Sequence, residues 1–160
     1  MTEIRKLHLI VGDALRLLYR NNSGDVKVDT PEYMGNLAKL EADLLEWRSK
    51  LPALLKIHFD SALTLRIGNM DDMYARQGVI LYLRYNNCIT LLHRPHVFAS
   101  LEGKSGQTTL ARLTYTGSID VCMQVSKDTL DAIQKVHSSL NHLGAWWYTL
   151  HYSTFPCIRC

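Results

Sequence analysis

Apolar residues recur at steps of three and four along most of the 160-residue chain, the spacing that lines one face of an α-helix. Ile4, Leu7, Val11, Leu15 and Leu18 predict a first helix to about Arg20, closed by Asn21-Asn22-Ser23-Gly24. Thr30-Pro31-Glu32 then offers an N-cap, a proline at the first helical position and an acid in the first turn. The helix that starts there carries Tyr33, Leu37, Leu40, Leu44, Trp47 and Leu51 on one face until Pro52 interrupts it, with Glu41, Asp43 and Glu46 on the solvated side.

A third helix, capped by Asp71 or Asp72, places Tyr74, Leu81, Tyr85, Cys88 and Leu92 in one stripe, while Val79, Ile80 and Leu83 make it apolar nearly all round, as a central helix is. Pro95 lacks an N–H and disfavours helical geometry at Arg94, which predicts a stop near His93. Residues 97–109, with Gly103, Ser105 and Gly106, lack periodicity and read as a mobile loop. A fourth helix is expected from about Ser118, with Ile119, Cys122, Leu130, Ile133 and Val136 inward, ending between Asn141 and Gly144. Ala145-Trp146-Trp147-Tyr148 opens a last helical segment through Phe155, and residues 156–160 read as an unstructured tail. With no alternating strand pattern and no repeat, the expectation is one all-α domain over residues 1–160, an irregular bundle of about five helices.

Hydrophobic residues make up 47% of the chain and charged residues 21%, values that fit a packed core rather than pervasive disorder. The net charge of +3 is spread along the chain, and DNA recognition would call for clustered basic residues. Arg76 and Arg84 interrupt the longest apolar stretch, so no membrane span is expected. Cys88, Cys122, Cys157 and Cys160 follow no disulfide framework, which suits a reducing, intracellular setting.

Candidate chemistry is sparse. Gly103-Lys104-Ser105 has the end of a phosphate-binding loop without its first glycine or its preceding strand. His93 and His96 have the spacing of a helical metal pair, but Arg94-Pro95 between them argues for a histidine that closes a helix end. His137, His142 and His151 show no diagnostic ligand spacing, and Cys157-Ile158-Arg159-Cys160 is a CxxC without a second pair. No nucleophile elbow is present, so no catalytic, cofactor-binding or metal-binding residue is assigned and a non-enzymatic chain is expected. Trp47, Trp146 and Trp147 are either core or the walls of a ligand pocket.

Leu44-Leu45-Glu46-Trp47-Arg48-Ser49-Lys50-Leu51-Pro52 resembles the "L..W...LP" signature of the fungal-specific transcription factor domain. Tyr85-Asn86 through Leu91-Leu92-His93-Arg94-Pro95 resembles that domain's "YN…LLHRP" helix end, and Cys122 and Trp146-Trp147-Tyr148 with Phe155 follow in the same order. The resemblance covers residues 36 to 155 and implies a helical regulatory middle region of a nuclear zinc-cluster transcription factor. Zinc and DNA contact would belong to a six-cysteine module that is absent from these residues, and His96 stands where the family has an aromatic. The chain also stops short of the family's later helices, so it reads as an incomplete region whose aromatic face, Trp146, Trp147, Tyr148, Leu150 and Phe155, engages protein partners or a second copy. A small-molecule effector in the helical core is a further expected partner class. The alternatives are a small-molecule-binding protein or enzyme on the same scaffold, with residues 97–109 as a lid, or a truncated remnant without function.

Overall fold

The computed structural model of the chain describes residues 2–19, 28–56, 72–103 and 108–139. These residues are helical without strands: α1 (Thr2–Tyr19), α2 (Pro31–Ser49), the single turn α3 (Ala53–Lys56), α4 (Asp72–Leu101) and α5 (Thr109–Ser139). The expected segment from Ala145 to Phe155 and the tail over residues 156–160 lie outside the described residues.

Helix α2 begins as its sequence requires. Thr30 is extended (φ −78°, ψ 140°), its Oγ1 accepts the Tyr33 N–H at 3.2 Å, and Pro31 fills the position that needs no donor. All six residues of its apolar stripe, with Leu51 just beyond the helix, are buried. All but Tyr33 meet Leu7 and Ala14 of α1 and Leu81, Tyr85, Cys88, Ile89 and Leu92 of α4, forming the main core. Trp47 stacks on Tyr85 (centroids 6.1 Å apart, 18° between planes), and its Nε1–H donates to the Glu3 carbonyl of α1 at 3.1 Å. One side chain thereby joins three helices. Leu15, Tyr74 and Leu130, expected to face inward, are exposed.

The stop expected at His93 and the loop expected from Val97 are corrected by α4, which passes through Pro95 and ends at Leu101. The proline withdraws a helical donor at a cost of about 3 kcal/mol in an isolated helix. Packing on both sides of it offsets that cost. Leu92 and His93 are buried before the proline, and His96 and Ala99 after it, most of them against α2 and α5. The actual stop is Gly103, whose φ of +73° is the left-handed conformation that ends helices; its N–H reaches the Ser100 carbonyl at 3.1 Å. Helix α5 starts nine residues earlier than the expected Ser118, because Thr108 Oγ1 accepts the Ala111 N–H at 3.1 Å and caps it.

Helices α4 and α5 pack along much of their length, and α1 lies against α2 and α4. A second, smaller cluster joins the end of α1 (Leu18), the start of α2 (Tyr33, with Val28 before it), the end of α4 (Ala99) and the start of α5 (Ala111, Tyr115). Buried polar side chains concentrate beside this second cluster.

Candidate functional site

His93 on α4 is 6% exposed and meets two other helices. Its Nδ1 lies 3.0 Å from Ser118 Oγ of α5, and its Nε2 lies 2.6 Å from Glu41 Oε1 of α2. A carboxylate at Glu41 only accepts, so Nε2–H donates there, and in the tautomer with its one proton on Nε2 the Nδ1 accepts the Ser118 hydroxyl proton. This arrangement satisfies every polar atom of the ring.

Serine, histidine and carboxylate in a line also make up a hydrolase triad, in which the serine oxygen attacks a substrate carbonyl. Ser118 is 1% exposed between α4 and α5, so its oxygen has no approach for such an atom. In this packing the three side chains act as a clamp that joins α2, α4 and α5. The clamp corrects one expectation, since His93 lies inside a helix rather than closing one, while Glu41, its side chain 39% exposed, keeps contact with solvent as it reaches His93.

One turn further along α4, His96 is fully buried. Its ring sits between Tyr33 and Tyr115, with centroids at 5.4 Å and 5.5 Å and interplanar angles of 70° and 73°. This is the edge-to-face geometry that aromatic rings favour. Neither ring nitrogen makes a hydrogen bond of good geometry among the described residues, although the Val28 backbone lies near enough to favour the charged form. Burial pushes the His96 imidazole below its ordinary value, and His93 adds to this; Val28, Asp29 and Glu41 oppose it. Tyr33, whose buried hydroxyl has no partner among the described residues, is pushed up to about 12 by burial. Tyr115 donates its hydroxyl to Asp29, and burial together with that carboxylate raises its phenol.

Elsewhere, Asn86 Nδ2 donates to Thr129 Oγ1 at 3.1 Å, and Thr129 donates to the Val125 carbonyl at 2.7 Å, a second polar tie between α4 and α5. Cys88 is buried in the main core, where burial raises its thiol to about 12 and keeps it protonated.

The other sequence candidates are not brought together. His93 and His96 do share a helix, yet both nitrogens of His93 are engaged, and no group of three or more His, Cys, Asp or Glu suited to a metal occurs among the described residues. Gly103 serves as the stop of α4, while Lys104 and Ser105 lie outside the described residues. So do Trp146, Trp147, His142, His151, Cys157 and Cys160, and the side chain of His137 is likewise not described. Trp47 is core rather than pocket wall. A mixed-charge groove of about 200 Å³ runs between α1 and α2, lined by Asp13, Arg16, Asn36, Lys39 and Asp43 with Leu17 and Leu40, smaller than the few hundred Å³ usual for ligand pockets. No described helix is long and apolar enough to cross a membrane.

No family model matches the chain, and no solved structure matches it. Over 160 aligned residues it is 24% identical to Transcription factor FBD3 of Gibberella moniliformis (strain M3125 / FGSC 7600), a stretch that takes in 92% of this chain and 21% of that protein. The chain thus spans about a fifth of the length of the curated relative it matches. Nearly its whole length is therefore related to part of a fungal transcription factor.

Proposed function

We propose that this chain is a regulatory and interaction region of a fungal zinc-cluster transcription factor, which acts in the nucleus on transcription and catalyses no reaction. The observation that carries this reading is the similarity to a transcription factor across 92% of the chain. It gains support from where the motif residues fall. Trp47 stacks on Tyr85, Asn86 ties α4 to α5, Leu92 is fully buried, and His93 clamps three helices. Residues that could suggest chemistry are thus engaged in joining helices.

DNA contact is assigned to a six-cysteine zinc module that the 160 residues do not include, since four cysteines cannot supply such a cluster. The test is a reporter assay in a fungal host, with the chain fused to a DNA-binding module of unrelated specificity. Reporter output should differ from that of the module alone, and the isolated chain should bind no stoichiometric zinc. Output identical to the module alone, or a DNA footprint of the isolated chain that persists at raised salt, would overturn the reading.

A further inference from the structure

The His96 box is suited to an aromatic ring without polar atoms: two tyrosine rings approach it edge to face, and no exposed edge lets water reach the imidazole. Histidine fills this volume at a cost, because two nitrogens are taken from water without a hydrogen bond of good geometry in return. An imidazolium there would be costlier still, since a buried charge needs both a partner and hydration.

We propose that His96 makes the junction of α2, α4 and α5 an acid-sensitive switch, closed while the imidazole is neutral and loosened when it takes up a proton. Among the described residues, the titratable groups that face it come from α2, α4, α5 and the turn before α2. Tyr33 and Glu41 belong to α2, Asp29 precedes α2, His93 belongs to α4 and Tyr115 to α5. The two carboxylates favour the imidazolium, but each is engaged: Asp29 accepts the Tyr115 hydroxyl and Glu41 accepts His93 Nε2–H. Burial and the neighbouring His93 prevail, so the folded chain holds His96 below its ordinary 6.5.

The sign follows from linkage. The unfolded chain binds this proton more readily than the folded one, so His96 leaves stability untouched above the unfolded value. Acidification below about 6.5 then costs stability progressively, and the loss is complete once pH passes the lower folded value. Protonation at His96 therefore favours opened forms of the one junction that contains it. The proposal is independent of the transcriptional reading.

Urea unfolding of the full chain at pH 7.5, 6.5 and 5.5 tests it, comparing the native sequence with His96→Phe and with His8→Gln, a change at an exposed histidine on α1. For the native chain and His8→Gln the folded-to-unfolded ratio should fall between pH 6.5 and 5.5 by a factor of up to about five, the limit over that interval for one proton whose unfolded value is about 6.5. His96→Phe should lack that component and be the most stable of the three at pH 5.5. An equal acid slope in His96→Phe overturns the proposal. Should His96→Phe fail to fold, NMR titration of the native chain decides: the His96 Cε1–H resonance should keep its neutral position below pH 6.5 until native signals are lost. Titration at or above 6.5 in a spectrum that stays native would overturn the switch.

Discussion

The main core and the α2–α4–α5 junction share helices α2 and α4, yet they hold together by different means. The main core is apolar around Leu7, Leu44, Leu81 and Leu92, and the indole Nε1 of Trp47 within it has a carbonyl to donate to. The junction instead buries His93, His96 and Ser118 together with Tyr33 and Tyr115. Its clamp is fully hydrogen-bonded, whereas His96 and the Tyr33 hydroxyl next to it are not. Apolar burial tolerates any pH but punishes lost volume; buried polar groups fix which helices meet and make the contact depend on every partner. One molecule thus combines a stable base with a conditional joint.

Substitutions can break that contrast in order of size. Leu44→Ala, at a fully buried position, should cost about 3 kcal/mol through lost transfer energy and the cavity left behind, read from denaturant unfolding. His93→Ala should cost about 2 kcal/mol, since Ser118 loses a buried acceptor while the partly exposed Glu41 recovers water. Trp47→Phe keeps the stacking on Tyr85 but removes the N–H that α2 donates to the Glu3 carbonyl of α1, and should cost about 1 kcal/mol. Lys50→Ala removes the ion pair with Glu46, both side chains of which are exposed, and should leave Tm unchanged within the error of calorimetry.

Much of the main core was legible in the sequence. The α2 stripe is an uninterrupted alternation of fours and threes, framed by Thr30-Pro31 and Pro52, and every stripe residue is buried. The junction was harder to read because each of its determinants breaks a local rule. Pro95 is a strong local stop signal, and only packing by residues distant in sequence overrides it. Glu41 borders the stripe beside Leu37 and Leu44, a position where an acid is half-covered, yet nothing local names His93 as its partner.

Ser118 left a usable signal. Ala111, Tyr115, Ser118, Cys122, Thr129 and Ala132 keep helical spacing and are all buried, so extending the α5 period back to its cap at Thr108 exposes a serine in a core position. The threonines and glycines around it mask that period. Gly103, which with Lys104 and Ser105 resembles the end of a phosphate loop, is the stop of α4 in place of Pro95. The resemblance places His93 in a helix-end motif, but its two partners, Glu41 and Ser118, are visible only in the packed helices.

The central claim is that His93 and Ser118 form a structural clamp across α4 and α5. A double-mutant cycle on His93→Ala and Ser118→Ala, read by urea unfolding at pH 7.5, tests this most directly. The clamp predicts that the two losses overlap, with a coupling of about 1 kcal/mol between the sites. Losses that simply add, to within about 0.3 kcal/mol, would contradict it and leave the side chains as independent buried groups.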